Sequence, residues 1–354
     1  MRTRKQTRAE ESTENTPPPP AQSKPTVVTI TKIEGPTISP SKRDNSQSGT
    51  AHSKLPQLIQ FPLVAFLSFA LSALGYSLSW RYTKGPLVPH ARVLDTWSDW
   101  GLVVGWRIFE LALGWFGNFD GYDITALNLL SHGPVLYLLY AFYEAPPSAL
   151  LSILAIETLA TYLPFRLLRP LSTAHADPSH APNAEIVTDR PIELLTTLLA
   201  GAIYSVTLFF AYATYLPSYL VVHFASLPSI ASAHEATYVG LLPVTLVLGF
   251  AARAFIFTPA EATPAPTKED GERFDPVNAS LKETVRWNFW GWTAPTKVVI
   301  QRTALLMLVT GTNTFLQTRF TIEGVETPGA VAWSSVWVVA AAVTGLGLGT
   351  VGSA

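Results

Sequence analysis

Residues 330–351 read AVAWSSVWVVAAAVTGLGLGTV, a segment without a single charged side chain. A helix rises 1.5 Å per residue, so about 20 apolar residues cross the roughly 30 Å hydrocarbon core of a bilayer. This segment therefore predicts a membrane-spanning helix. The same criterion selects earlier segments near residues 58–80, 97–116, 124–143, 148–168, 193–222, 236–257 and 298–318.

The composition agrees with a membrane protein. Charged residues make up 14% of the chain, whereas soluble globular chains carry about 25%. Residues 1–55 differ from the rest, because they are rich in Pro, Ser, Thr and Lys and contain no apolar run able to form a core. We expect them to be a disordered cytosolic tail. The expected fold class is all-α: a polytopic helical membrane bundle over residues 56–354, with about eight transmembrane helices.

The second span is the weakest of the eight, because it carries Arg107 and Glu110. The positions of Lys and Arg nevertheless require it, since cytosolic loops are enriched in these residues. With a cytosolic N-terminus and eight spans, the cytosolic loops hold Arg166, Arg169, Arg190, Lys268, Arg273, Lys282, Arg286 and Lys297, and the opposite side holds Arg81, Lys84, Arg92 and Arg319. Removing the second span would invert every later loop. The charge distribution therefore favours eight spans with both termini cytosolic.

Residues 259–297 form a long cytosolic loop in this topology. Within it, the segment 281–292 has one apolar helical face, formed by Leu281, Val285, Phe289 and Trp292. Such a pattern is typical of a helix that lies in the membrane interface. The alternative is an ordinary lead-in to the seventh span.

Polar side chains inside the second, third and fourth spans form the main candidate site. They are Arg107, Glu110, Asn128, His132 and Glu157. Arg107 and Glu110 are three residues apart and share a helical face. A charge at the bilayer centre costs about 2.5–3.5 kcal/mol on insertion scales, so it needs a partner or a wet cavity. The cluster either binds a polar substrate, relays protons or holds a lipid head group, or it serves helix packing alone.

Arg253 and Arg302 lie near the expected cytosolic ends of their spans. Their long side chains are expected to reach the interface and anchor the topology. The alternative is a contact site for anionic lipid head groups. That site would comprise Arg253, Lys282, Arg286, Lys297 and Arg302.

Two pairs of glycines four residues apart, Gly101/Gly105 and Gly345/Gly349, allow a second helix to approach closely. We therefore expect other membrane helices as partners, in addition to the lipid bilayer. The net charge of −1 gives no argument for a nucleic-acid partner.

The sequence carries few signs of catalysis. It contains no cysteine, which excludes disulfides, thiolate metal sites and cysteine nucleophiles. It also lacks a phosphate-binding loop, a His-Glu-x-x-His motif and a Gly-x-Ser-x-Gly elbow. The histidines are scattered, and His175 and His180 are expected to be solvated. No metal and no cofactor is expected, and the balance leans towards a protein that is not an enzyme.

Three stretches carry a resemblance: WRIFELALGWFG at 106–117, LLSHGP at 129–134 and YLPFR at 162–166. They resemble multi-span membrane proteins of filamentous ascomycete fungi, and the resemblance extends over roughly residues 75–352 without a specific motif. It implies a eukaryotic endomembrane location, the endoplasmic reticulum or a related compartment, and it implies no activity.

Three function hypotheses follow. The first is a non-enzymatic scaffold, assembly factor or partner-binding membrane subunit. The second is a transporter or channel-like protein with a polar midplane site around Arg107, Glu110 and Glu157. The third, a lipid-modifying enzyme at the cytosolic interface, has the least support in the sequence.

Overall fold

A computed structural model describes residues 56–87, 90–225, 227–264 and 280–352, and within these ranges the chain forms helices and no strand. The long helices, numbered here in chain order, are α1 (Gln57–Leu87), α2 (Trp97–Phe116), α3 (Gly121–Phe142), α4 (Pro147–Leu168), α5 (Arg190–Ala213), α6 (Tyr238–Ala252), α7 (Ala294–Thr321) and α8 (Thr327–Gly352). The predicted tail, residues 1–55, lies outside the described residues.

Shorter helices connect the long ones. They are Thr173–Ala176, Pro178–His180, Ala184–Thr188, Leu216–His223, Ala231–His234 and Leu281–Trp290. Helix α6 continues through a π-helical turn, Arg253–Phe257, into Thr258–Glu261.

Within the described ranges, six helices are long and apolar enough to cross a membrane. They are Ile59–Arg81 within α1, then α3, α4, α5, α6 with its extension to Glu261, and α8. Helices α2 and α7, which correspond to the second and seventh predicted spans, are not in this set. Helix α2 contains Asp99 in addition to Arg107 and Glu110, and α7 contains polar residues such as Arg302 and Asn313.

The predicted fifth span, 193–222, differs from the structure. Helix α5 ends at Ala213, and a separate helix, Leu216–His223, follows it. Pro217 lies in the first turn of that second helix, where a missing N–H costs nothing and the fixed φ suits the helix. The proline therefore starts a new helix.

Side-chain caps define several helix starts. The side chain of Thr96 accepts from the Asp99 N–H at the start of α2, and Asp120 accepts from two N–H groups at the start of α3. Thr237 and Thr293 cap α6 and α7 in the same way. Such caps satisfy backbone donors that a helix leaves without partners, at about 1 kcal/mol each.

One set of helix ends meets at what we call the His90 end, which comprises residues 90–96, 143–146, 214–225, 227–237 and 322–326. The Glu323 N–H donates to the His90 carbonyl at 2.9 Å, and the Arg92 N–H donates to the Thr321 carbonyl at 2.9 Å. Isolated bridges pair Ala91 with Ile322 and Phe224 with Val325.

The opposite set meets at the Asp120 end, which comprises residues 117–120, 169–189, 258–264 and 291–293. The guanidinium of Arg169 donates to the carbonyls of Trp115, at 2.7 Å, and Phe119, at 3.0 Å. The side chain of Asn183 donates to Glu261 at 3.2 Å. Each of the eight long helices therefore runs from one end towards the other.

Glycines allow the closest helix contacts. A Cβ added at Gly249 of α6 would meet the backbone of Gly201 and Thr197 in α5. Gly345 and Gly349 of α8 lie against the side chains of Thr303 and Val299 in α7. The surface that was predicted to receive a helix of another protein at Gly345/Gly349 is therefore used inside this chain.

Candidate functional site

Helices α1, α2 and α4 bring a set of polar side chains together around Arg107. The guanidinium of Arg107 lies 3.0 Å from Glu157 and 3.4 Å from Glu110, and it donates to the Thr161 hydroxyl at 2.7 Å. The Tyr76 hydroxyl of α1 donates to Glu157 at 2.7 Å. One arginine thus pairs with two carboxylates from two helices.

Helix α3 adds the remaining predicted residues. The side-chain amide of Asn128 donates to the Glu157 carbonyl at 2.8 Å and to the Thr161 hydroxyl at 3.2 Å. His132 lies one turn further, and its Nδ1 is within hydrogen-bond distance of the Asn128 carbonyl and of Ser131. The structure therefore joins four of the five predicted residues directly and places His132 beside them.

Two further members of the cluster, Tyr76 and Thr161, were not among the predicted residues. Thr161 lies four residues after Glu157 and donates to its backbone carbonyl at 2.7 Å. This i, i+4 spacing on a helix already chosen for Glu157 was a usable signal. Tyr76 lies in a different span, and nothing in its local sequence points to Glu157.

The space beside this cluster is small. A cavity of about 10 Å³ is lined by Arg107, Glu110 and Asn128, among others. Such a volume admits about one water molecule. The side-chain oxygens Glu110 Oε1 and Asn128 Oδ1 are buried without a hydrogen-bond partner. The geometry is that of a tight helix contact and leaves no room for a larger solute.

A second buried ion pair joins α3 to α7. Arg302 donates to both carboxylate oxygens of Asp123, at 2.6 and 3.1 Å, and to the Phe255 carbonyl at 2.8 Å. Its guanidinium also lies 4.9 and 5.0 Å from the rings of Phe119 and Phe255. Arg302 was expected to extend to the membrane interface. It turns inward instead, because a carboxylate and two aromatic rings surround it.

Asp120 forms a hydrogen-bonded network at the Asp120 end. His175 lies 2.7 Å from Asp120, and the Ser172 N–H and hydroxyl donate to the same carboxylate at 2.9 and 2.7 Å. Burial alone raises the pKa of Asp120, but hydrogen bonds from His175, from the Asp123 N–H and from Ser172 outweigh it and hold that pKa well below its ordinary range. His175, predicted to be solvated, is largely buried here.

Asp120, Asp123 and His175 lie close enough together to ligate one cation. Their oxygens have other partners, however. Both oxygens of Asp123 accept from Arg302, and both oxygens of Asp120 accept from backbone or side-chain donors. These residues therefore form an ion-pair network rather than an open ligand set.

The five cations predicted to contact lipid head groups have different surroundings. Arg302 is buried against Asp123. Arg253 is 7% exposed and lies 2.8 Å from Glu193. Lys282 and Lys297 are exposed, and the side chain of Arg286 lies outside the described part of the chain.

Gly101 and Gly105 lie on an open face of α2. No atom of the described chain comes within 4 Å of a Cβ added at either position. Large apolar side chains around them are exposed, including Trp97, Trp100 and Ile108. This face is free to contact lipid or another helix.

Comparison with known protein families shows a similarity in the C-terminal part of the chain. Residues 189–351 match the family model of the Bouquet formation protein 3 C-terminal domain. The matched region begins just before α5 and ends within α8, and it is somewhat less than half of the chain. No curated protein and no solved structure matches. The cluster around Arg107 lies in α1–α4, outside the matched region, whereas Arg302 lies inside it and pairs with Asp123 outside it.

Proposed function

We propose that this chain is a multi-pass membrane protein that acts without catalysis, as a scaffold, assembly or partner-binding subunit in bouquet formation. The match of residues 189–351 to a domain named for bouquet formation carries this proposal, since that name refers to the forming of an arrangement and not to a reaction. The six apolar helices support a membrane location, for which we propose the endoplasmic reticulum or a related endomembrane.

We propose eight spans, with both termini on the cytosolic side. At the start of α2, Asp99 lies 3.6 Å from Arg92 of the His90 end. At its other end, the Trp115 carbonyl accepts from Arg169 of the Asp120 end. Helix α7 (Ala294–Thr321) likewise extends from the Asp120 end, where Arg302 pairs with Asp123, to the His90 end, where Thr321 lies. Both helices therefore extend between the same two ends as the six apolar ones, and pairing inside the bundle offsets the cost of their charges.

A transporter with its site at Arg107, Glu110 and Glu157 has less support. A transported solute needs a cavity of its own size, and the space beside these side chains measures about 10 Å³. Arg107 already pairs with both carboxylates, at 3.0 Å from Glu157 and 3.4 Å from Glu110. This arrangement suits helix packing.

Labelling of single cysteines tests the topology. The chain has no cysteine, so Ser179→Cys at the Asp120 end and Ser229→Cys at the His90 end each introduce one reactive thiol without background. In sealed microsomes with the cytosolic face outward, a membrane-impermeant maleimide is expected to label Ser179→Cys at once and Ser229→Cys only after detergent. The opposite pattern would overturn the proposed orientation, and labelling of both in sealed vesicles would overturn the span count.

Deletion of the gene tests the proposed role. Cells that lack the chain are expected to fail in bouquet formation, and the wild-type chain is expected to restore it. Normal bouquet formation in the deleted cells would refute the role.

We further propose that a partner helix docks on the Gly101/Gly105 face. The variant Gly101→Leu/Gly105→Leu is expected to fold normally, because no other part of the described chain is near. On a native gel it is expected to run at a lower apparent mass than the wild type, and it is expected to fail in complementation. Val247→Leu adds bulk to an exposed position of α6 and serves as the matched control. An unchanged complex in the glycine variant would exclude this docking face.

A further inference from the structure

A cavity lies at the Asp120 end, between α3, α5 and α6. Its volume is about 460 Å³. The residues that line it include the cationic Arg190 and Arg253 and the apolar Leu129 and Phe250. The cavity is therefore amphipathic.

The residues that line this cavity carry an excess of positive charge. Arg253 and Arg190 both pair with Glu193, at 2.8 and 3.1 Å, so two guanidinium groups share one carboxylate. Among the described residues, the other titratable side chains on the lining are Tyr122 and His175. His175 contacts Asp120, which is not part of the lining. An anion in this cavity would balance the remaining charge.

Arg253 is under-satisfied despite its burial. It is 7% exposed, and its Nε has no hydrogen-bond partner. It lies at the start of the π-helical turn Arg253–Phe257, and such turns interrupt helices frequently at functional sites. A buried guanidinium with spare donors is costly unless a ligand completes its bonding.

An apolar groove continues from this cavity. It has a volume of about 450 Å³, runs between α3 and α4, and shares Thr125 and Leu129 with the charged cavity. Its wall on α4 includes Leu151, Ala155 and Leu159, all of them exposed. The charged cavity and the exposed apolar groove are therefore adjacent along α3.

We propose that these two spaces together bind one anionic phospholipid. The head-group phosphate contacts Arg190 and Arg253, since guanidinium groups bind phosphate oxygens through paired hydrogen bonds. One acyl chain lies in the groove between α3 and α4. This inference goes beyond the proposed role in bouquet formation and depends only on the membrane location of the chain.

Lipid retention by the purified full-length chain tests the proposal. In a neutral detergent, native mass spectrometry compares dioleoyl phosphatidylserine with dioleoyl phosphatidylcholine, which has the same acyl chains without net charge. Phosphatidylserine is expected to bind more tightly by about fivefold, since a cation near a lipid surface contributes about 1 kcal/mol. Equal binding of the two lipids would overturn the proposal.

Three variants locate the site. Arg190→Gln and Ala155→Phe change exposed side chains, so folding should persist, and each is expected to weaken phosphatidylserine binding about fivefold. Arg81→Gln removes an exposed cation of α1 that does not line the cavity and should leave binding unchanged. If Arg81→Gln weakens binding as much as Arg190→Gln, diffuse surface charge rather than the proposed site binds the lipid. Arg253→Gln should weaken phosphatidylserine binding further. If Arg253→Gln fails to fold, the comparison of Arg190→Gln with the wild type decides the result.

Inorganic phosphate separates a lipid site from a free-anion site. Millimolar phosphate is expected to leave phosphatidylserine bound, and Ala155→Phe is expected to reduce lipid binding. If phosphate displaces the lipid and Ala155→Phe has no effect, the cavity binds a free anion and the lipid proposal fails. Because these measurements use purified protein, a negative result leaves the tests of topology and of bouquet formation unaffected.

Discussion

Replacing Asp123 by leucine is expected to lower the free energy of unfolding by about 3–5 kcal/mol, because it removes one partner of a buried ion pair. Both side chains are largely buried, with 2% of Asp123 and 14% of Arg302 exposed. The variant leaves the guanidinium of Arg302 between two aromatic rings with no carboxylate. Thermal unfolding in detergent, followed by tryptophan fluorescence, measures the loss.

The double variant Asp123→Leu/Arg302→Met provides the decisive comparison. Removing both charges avoids an isolated buried cation, so the double variant is expected to be more stable than Asp123→Leu alone. Asp177→Asn, which disrupts an exposed pair with His180, should unfold at the wild-type temperature. If Asp123→Leu also unfolds at the wild-type temperature, Arg302 is solvated and the packing of α7 against α3 is different from that described.

Replacing Gly249 by leucine is expected to separate α5 from α6 and to lower the unfolding temperature strongly. A Cβ at this position would meet the Gly201 nitrogen and the Thr197 carbonyl oxygen, and backbone atoms cannot rotate away as a side chain can. Overpacking of this kind costs about 1–3 kcal/mol and sometimes more. Size-exclusion chromatography during a heating series measures the change.

Gly105→Leu is the matched control for this variant. It makes the same substitution in another helix, where no atom of the described chain lies within 4 Å. Its unfolding temperature should equal that of the wild type. Equal temperatures for Gly249→Leu and Gly105→Leu would show that α5 and α6 are not in close contact.

Local sequence patterns predicted the helical fold and part of the polar cluster. Apolar runs located the helices, because length and hydropathy are properties of neighbouring residues. Arg107 and Glu110 share a helical face through their spacing, and the short connection between α3 and α4 keeps the helix of Glu157 next to the helix of Asn128. Six helices have the composition of membrane spans, while the count of eight remains our proposal.

The other pairings depend on distant parts of the chain. Asp123 and Arg302 are 179 residues apart, and Asp120 and His175 are 55 residues apart. No spacing rule joins such residues, so Arg302 was expected at the interface and His175 in solvent. The packing of Gly345 and Gly349 against α7 of the same chain was also not predictable, because a pattern of small residues does not specify which helix will pack against it.

The Asp123–Arg302 pair also bears on where this molecule can be divided. Residues 189–351 form the region of family similarity, yet the carboxylate that neutralises Arg302 belongs to α3. A fragment cut at residue 189 would retain Arg302 without the carboxylate that neutralises it. The region of family similarity and the unit that folds therefore have different boundaries.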